Sequence, residues 1–269
     1  MKKWILLLAL GFALSTPRAT AQQPDISQLE VHYKFSHTRD TTNRDKPFTE
    51  NMVLLVGKKS GVYKSDERRV EEQHSTNPDG TIRTDMHHFG SPAEYYQYPN
   101  EKRLIRKDAI FQFEFLIADA LPAINWRITG DTTTLGGLHC QKATTHFKGR
   151  DYTAWFCPDL PLHIGPWKLT GLPGVIIEAH DAKNEVRFTF DGVTKTGATA
   201  ILPPEKGVKT TEKEFARLQD TWQKDPQAFL NGMAQGRGDN GGPAPRMTID
   251  VKPGSGPVIN NPIELPETK

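Results

Sequence analysis

Short runs of alternating apolar and polar residues are the feature that most constrains the fold of this chain. Residues 29–36 alternate cleanly between the two kinds of side chain, which is typical of a strand with one solvent-facing side. Similar short β-type runs, separated by clusters of Gly, Pro, Asn and Asp, follow at residues 52–56, 61–63, 81–89, 102–105, 110–115, 175–179 and 186–190. None of these runs has a helix-length apolar period. The pattern predicts one long antiparallel meander.

The composition favours a β-sheet protein and argues against a helical bundle. Twenty Pro and twenty-two Gly in 269 residues indicate many turns and few long helices. We expect one mainly β domain over residues 22–235, built as a single strongly curved antiparallel sheet. Its half-barrel shape is an analogy with outer-membrane lipoprotein carriers, in which such a sheet wraps helices. A net charge of +2 is too small to indicate nucleic acid as a partner.

Helical signals occur only towards the C-terminal end. Thr211 and Glu214 form a capping box before a predicted helix over residues 212–223. Pro226 opens a second short helix through Met233, so the helical pair occupies about residues 211–234. Residues 236–269 are predicted to be a Gly- and Pro-rich loop and a tail that packs on the same domain. Residues 247–251 can add an edge strand to that tail.

The first 21 residues have the three parts of a secretory signal peptide. Two lysines precede an apolar run at residues 4–14, and Ala19 and Ala21 supply the small residues that a signal peptidase reads. A membrane anchor is the alternative, but this run spans only about half of a ~30 Å hydrocarbon core. We expect cleavage after Ala21 and a mature chain without a transmembrane segment. Its predicted location is the periplasm or the outer-membrane periphery, with full secretion as the alternative.

The two cysteines predict a structural disulfide. Cys140 and Cys157 lie 17 positions apart, and a tight turn at residues 148–149 places them opposite each other in a hairpin. The same register pairs two further sets of side chains, Lys142 with Trp155 and His146 with Asp151. A redox function is the alternative, but no C-x-x-C spacing is present to activate a thiolate.

One segment resembles a known family. Residues 165–176 read Gly-Pro-Trp-Lys-Leu-Thr-Gly-Leu-Pro-Gly-Val-Ile, and similar blocks occur at residues 126–128, 140–150, 154–156 and 261–265. These blocks resemble the signature of the GLPGLI family of exported Bacteroidetes proteins, here with Val175 in place of the usual Leu. The resemblance implies an exported protein and no established biochemical activity. Family members often have Thr or Ser at the position of Cys157, so the disulfide is a prediction for this sequence alone.

The signature itself has two interpretations. Six residues set two tight turns around Trp167, namely Gly165, Pro166, Gly171, Leu172, Pro173 and Gly174. In the functional interpretation they form a rigid lip that presents Trp167 and Leu172 to an apolar ligand. In the structural interpretation they form a sheet corner with Trp167 in the core. Trp126, Trp155 and Tyr152 likewise form either an aromatic wall with Trp167 or part of the core.

Neither a metal site nor a cofactor site is predicted. His87 and His88 are adjacent in a predicted strand, so their side chains point to opposite faces. No H-E-x-x-H motif or paired Cys/His ligand set occurs. Adventitious metal binding is assigned to four other histidines, His139, His146, His163 and His180. A periplasmic metal-handling protein is therefore a minor alternative.

A catalytic constellation is also missing from the sequence. There is no G-x-S-x-G motif, and Cys140 is expected to be oxidised. The alternative is an envelope hydrolase acting on glycan or peptide. Its acid–base groups would come from four polar residues near the signature, namely Asp131, Glu178, His180 and Asp181. We expect no catalytic residues. The leading hypothesis is a binding or accessory protein for a lipid, a peptide or an outer-membrane protein, with Trp167, Leu172, Trp155 and Trp126 as ligand-binding residues.

Overall fold

The computed structural model describes residues 24–76, 82–195, 199–235 and 258–267. The first half of the chain contains β1 (Asp25–Ile26), β2 (Leu29–His37), β3 (Phe48–Val56), β4 (Gly61–Ser65), β5 (Arg69–Thr76), β6 (Ile82–Phe89), β7 (Glu94–Tyr98), β8 (Arg103–Ile110) and β9 (Phe113–Ala120). The second half contains β10 (Arg127–Leu135), β11 (Leu138–Phe147), β12 (Arg150–Cys157), β13 (Val175–Asp181), β14 (Val186–Lys195), β15 (Ala200–Ile201), β16 (Val208–Thr210), α1 (Glu212–Lys224) and α2 (Pro226–Gln235).

Twelve of these strands form one open sheet. Its order is β10-β11-β12-β13-β14-β2-β3-β4-β7-β8-β9-β16, and every neighbouring pair is antiparallel except β9 and β16. Two meanders, one from each half of the chain, therefore join side by side through β2 and β14. β5 pairs with β6, and β1 with β15, as separate two-stranded ladders. The predicted mainly β fold with a large sheet and a C-terminal helical pair is confirmed.

The main core lies between the central strands and the loop at residues 158–174. Strands β2, β3 and β11–β14 contribute one face each, and the loop adds Leu162, Ile164, Trp167, Leu169 and Leu172. The lipoprotein-carrier analogy predicts helices over a curved sheet. The loop at residues 158–174 covers the central strands, and the helical pair packs on β9 at one end of the sheet.

The two helices pack at one end of the sheet and form a second core. Phe215 of α1 meets Phe115 of β9 edge to face at 5.4 Å, and Phe229 of α2 meets Phe113 in the same way at 5.7 Å. The N-cap of α1 is as predicted, since the Thr211 side chain accepts a hydrogen bond from Glu214 N at 3.2 Å.

The hairpin of β11 and β12 has the predicted register and disulfide. Lys142 pairs with Trp155 and His146 with Asp151 across the two strands. Cys140 and Cys157 are bonded, with their Cα atoms 4.1 Å apart. Lys148 and Gly149 both have positive φ, at 53° and 70°, as the primed two-residue turns of hairpins require.

Three predictions concern residues outside the described ranges. They are the signal peptide over residues 1–21, the loop at 236–245 and the edge strand at 247–251. The side chains of His87 and His88 also lie outside the description, although the backbone of β6 is included. Within the described ranges, none of the helices has the length and apolar character needed to span a bilayer.

Candidate functional site

The signature forms a buried loop that the side-chain amide of Gln97 holds in place. Gln97 is fully buried, and its Nε2 donates to the carbonyl oxygens of Gly165 and Trp167 at 2.7 and 3.1 Å. Its Oε1 accepts from Gly165 N at 3.2 Å. Trp126 Nε1 donates to the carbonyl of Thr170 at 2.8 Å on the other side of the loop. The loop conformation therefore depends on side chains from distant strands.

Two glycines of the signature are required by close backbone approach. A Cβ atom on Gly165 would lie 2.5 Å from Leu169 O, and one on Gly174 would lie 2.3 Å from Cys157 O. Both distances are too short for any side chain unless the backbone shifts. Trp167, between the two turns, has a φ of 54°, a left-handed conformation that the surrounding contacts must maintain.

Three of the four predicted ligand-binding residues, Trp126, Trp167 and Leu172, lie in or against the main core, whereas Trp155 does not. Trp167 and Leu172 are 3% and 1% exposed and belong to the main core, so neither is presented to solvent as a lip. Trp155 lies on the face of β12 opposite to Tyr152, because the side chains of that strand alternate in burial. Trp126 packs at the margin of the main core. Trp155 therefore does not share a wall with Tyr152 and Trp167, and Trp167 packs in the main core.

The residues that end the described chain cross the turn between β11 and β12. We call residues 258–267 the C-terminal strap. Arg150, a buried residue of β12, donates through Nε and Nη2 to the carbonyls of Ile263 and Pro262 and to Asn261 Oδ1, at 3.0, 2.8 and 2.7 Å. Its Nη1 donates to Asp181 and Glu185 at 2.7 and 3.3 Å. All five N–H donors of this guanidinium are thereby used.

Two further contacts hold the C-terminal strap. His37 is buried against the carbonyl of Asn261, with its Nε2 at 2.8 Å. Burial lowers the pKa of His37 to about 4, so at neutral pH a neutral imidazole donates from Nε2. Glu264 bonds to Lys168 at 2.5 Å and to Lys148 at 3.1 Å. Burial opposes the ionisation of Glu264, but these two lysines lower its pKa.

A small cavity opens beside Trp167, and we call it the aromatic cavity. Its volume is 170 Å³. Its lining combines apolar and aromatic side chains with four polar ones. The first group is Phe35, Met52, Tyr63, Ala93, Tyr95, Trp167, Phe188 and Ile263, and the polar group is His37, Arg39, Glu50 and Ser91. Phe35 and Phe188 stack with centroids 5.1 Å apart. Because Ile263 belongs to the C-terminal strap, the strap completes one wall of the cavity.

One wall residue carries an unused polar group. The hydroxyl of Tyr63 is buried and, within the described part of the chain, has no hydrogen-bond partner. Burial raises the pKa of Tyr63 well above its ordinary value, and the nearby Tyr33, Tyr95 and Glu50 add to this effect. A buried donor without a partner costs about 1–3 kcal/mol.

Charged residues line the rim of the aromatic cavity. Arg39 and Glu50 line both this cavity and an adjoining surface groove of 380 Å³, which we call the outer groove. Glu50 accepts two hydrogen bonds from Ser91, one from the backbone N and one from Oγ, both at 2.5 Å. The guanidinium of Arg39 stacks 3.4 Å from the centroid of the Phe48 ring. An apolar interior thus opens between an arginine and a glutamate.

The polar residues near the signature do not converge on a reaction centre. Asp131 on β10 pairs with Lys142 at 3.2 Å, whereas Glu178 on β13 accepts from Phe190 N at 3.3 Å. Two strands separate β10 from β13, which puts these carboxylates about 14 Å apart. Asp181 belongs to the Arg150 network. The sequence prediction of a shared acid–base pair therefore has no geometric support.

The four histidines considered for adventitious metal binding lie on different elements: His139 and His146 on β11, His163 in the loop at residues 158–174 and His180 on β13. His146 lies between Asp151 and Glu267, at 2.7 and 2.9 Å. His139 contacts Asp159 at 3.3 Å. The described residues contain no group of three or more His, Cys, Asp or Glu side chains arranged to hold a metal ion.

Of the residues that surround the aromatic cavity, sequence reasoning named Trp167 as ligand-binding and missed the others, Arg39 and Tyr63 among them. Arg39 comes just after the alternating residues of β2, and Tyr63 lies within a predicted strand. The local sequence around each therefore does not mark it as a ligand-binding residue. What distinguishes them is their meeting across strands β2, β3, β4 and β14. Such a meeting depends on strand order, which a single sequence does not encode in any local pattern.

Comparison with known proteins adds little to this geometry. No family model matches the chain, and no curated protein matches it either. Among solved structures, the chain is similar to PNGF-II in two crystal forms, C2 and P21, each with a TM-score of 0.45 and 11% identity. The aligned region covers 71% of this chain and 32% of the PNGF-II chain. The chain therefore spans about a third of the length of PNGF-II, and this distant likeness carries no argument about function.

Proposed function

We propose that this chain is a non-catalytic envelope protein that binds a peptide or protein partner by taking one apolar side chain into the aromatic cavity. The observation that carries this proposal is a cavity lined by several aromatic side chains together with the charged residues Arg39 and Glu50. Binding sites commonly combine apolar walls with a few polar groups. Among the described residues, no side chains converge in a way that supports the hydrolase or the metal-handling alternative.

The size of the cavity selects among the predicted ligands. A dry cavity of about 150 Å³ holds a single benzene ring, whereas sites for drug-sized ligands occupy about 300–1,000 Å³. At 170 Å³ the aromatic cavity fits one leucine-sized or phenyl-sized group. A lipid acyl chain or a sugar ring with its hydroxyl groups needs more room. A peptide or protein partner is therefore favoured over a lipid or a glycan.

Three observations support an exported location within this proposal. The N-terminal residues have the pattern of a signal peptide. The Cys140–Cys157 disulfide is typical of proteins that fold in an oxidising compartment. The signature resembles that of the exported GLPGLI family. We place the protein in the periplasm or at the outer-membrane periphery on these grounds.

The test fills the cavity without enlarging it. Ala93 lines the aromatic cavity, so Ala93→Leu should occupy the space that a bound side chain needs. We expect this variant to bind N-acetyl-leucine methylamide at least tenfold more weakly than the wild type, as measured by NMR titration. The matched control is Ala118→Leu, at an exposed position of β9, which should bind like the wild type.

Two further measurements make the test decisive. The same titration with N-acetyl-glycine methylamide should give no saturable shifts, because this probe has no side chain to place in the cavity. Circular dichroism must show that Ala93→Leu remains folded. Equal binding of the leucine probe by Ala93→Leu and Ala118→Leu would contradict the proposed function.

A further inference from the structure

The guanidinium of Arg39 can serve as an anion-binding group. A guanidinium has five N–H donors, yet no hydrogen bond or ion pair joins the Arg39 side chain to any described residue. Its neighbour is the ring of Phe48, on which it stacks at 3.4 Å. Stacking fixes the plane of the group while its N–H edges stay available. Arginine held in this way is well suited to bidentate recognition of a carboxylate.

The position of Arg39 links this anion site to the aromatic cavity. Arg39 lines both the cavity and the outer groove, so a carboxylate at its N–H edge lies at the mouth of the cavity. A bound molecule that reaches both sites therefore needs an apolar group and a carboxylate only a few bonds apart. Amino acids with an apolar side chain and a free α-carboxylate have this arrangement.

Glu50 supplies the second polar contact that such a residue needs. Its carboxylate accepts from Ser91 N and Ser91 Oγ, which leaves lone pairs available for another donor. Arg39 lies near enough to attract this carboxylate electrostatically without forming a direct ion pair with it. The backbone N–H of a bound residue can therefore donate to Glu50 while the carboxylate of the same residue meets Arg39. An internal peptide residue would place a neutral carbonyl at Arg39 and would therefore bind less tightly than a residue with a carboxylate there.

We propose that the aromatic cavity and Arg39 together recognise the C-terminal residue of a peptide, an apolar residue with a free α-carboxylate. This inference rests on the proposed function and names its ligand class. The outer groove, at 380 Å³, has room for the residues that precede the terminus. Glu67 lines that groove, and its charge favours a basic residue upstream. Capture of a terminal carboxylate is a known mode of peptide recognition.

The experiment compares two forms of one peptide on the wild-type protein. N-acetyl-Lys-Gly-Ser-Leu is prepared with a free C-terminal carboxylate and as the C-terminal amide, and both are titrated by isothermal calorimetry. We expect the acid to bind at least tenfold more tightly than the amide. Arg39→Gln should reduce this ratio to about one. The matched control is Arg69→Gln, which removes another arginine stacked on a phenylalanine, Phe89, at 4.1 Å and lines neither the cavity nor the groove.

The outcomes separate this inference from the proposed function. Equal binding of acid and amide, with binding still lost in Ala93→Leu, would overturn terminal-carboxylate recognition and leave the proposed function standing. Absence of binding by both peptides and by the blocked leucine probe would overturn both. N-acetyl-leucine that binds as tightly as the tetrapeptide acid would identify a small free carboxylate as the ligand and overturn the assignment to a peptide terminus.

Discussion

The hydroxyl of Tyr63 differs from that of its neighbour Tyr33 in one respect that bears on stability. Tyr33 Oη donates to the carbonyl of Ile176 at 2.7 Å, whereas Tyr63 Oη has no partner within the described residues. The two rings meet edge to face at 5.8 Å, so they share much the same apolar surroundings. The cost of an unsatisfied polar group can therefore be measured against a matched residue.

We predict that Tyr63→Phe raises the free energy of unfolding of the unliganded protein by about 1 kcal/mol, because it removes a buried donor that lacks an acceptor. Tyr33→Phe should lower the free energy of unfolding by about 1 kcal/mol, because it leaves the Ile176 carbonyl unpaired. Urea denaturation of both variants measures the two changes. A loss of stability in Tyr63→Phe equal to that in Tyr33→Phe would show that the Tyr63 hydroxyl has a partner after all.

At the scale of single elements, the hairpin of β11 and β12 was the most predictable part of the molecule. Its turn, its register and its disulfide all depend on residues within about 20 positions of one another, and local turn chemistry sets such a register. The short strand runs and the capped helix α1 were predictable for the same reason. The pairing of β2 with β14 was not, because it joins residues more than 140 positions apart and no local pattern specifies it.

We predict that replacing both cysteines, as Cys140→Ala with Cys157→Ala, lowers the free energy of unfolding by about 3 kcal/mol. The disulfide closes a loop of 17 positions, and the chain-entropy model assigns roughly that value to a loop of this length. Chemical denaturation of the double variant and of the wild type, with and without reductant, provides the measurement. Reductant should destabilise only the wild type. An unchanged midpoint in the double variant would indicate that the bond does not constrain the unfolded chain.

At the scale of the whole molecule, the blocks that carry the family resemblance meet in space. The hairpin turn at residues 147–150, the signature at residues 165–176 and the Asn261–Leu265 block surround Arg150 and Lys168. Sequence reasoning identified the blocks and predicted that the tail packs on the domain. It did not predict that Arg150 joins them, because a buried arginine with five separate partners follows from the tertiary arrangement and not from strand alternation.

We predict that Arg150→Met lowers the free energy of unfolding by about 3–5 kcal/mol, because Asp181 remains buried without its cation and Glu185 keeps only its ion pair with Arg44. Arg44→Met is the matched control, since Arg44 also bonds to Glu185 but has a side chain that is 59% exposed. We expect a loss below about 1 kcal/mol for that variant. Thermal unfolding followed by circular dichroism compares the two. Similar losses in both variants would contradict a dominant role for the buried arginine.

The C-terminal strap also sets the order in which a growing chain can complete its structure. The hairpin, its disulfide and the Asp181 and Glu185 carboxylates are all synthesised about 80 or more residues before Asn261 and Ile263, which satisfy Arg150 and close the aromatic cavity. Contacts of such separation form late in folding. The chain must therefore extend through residue 263 before Arg150 has all its partners, and a chain truncated before residue 261 has an aromatic cavity that lacks one wall.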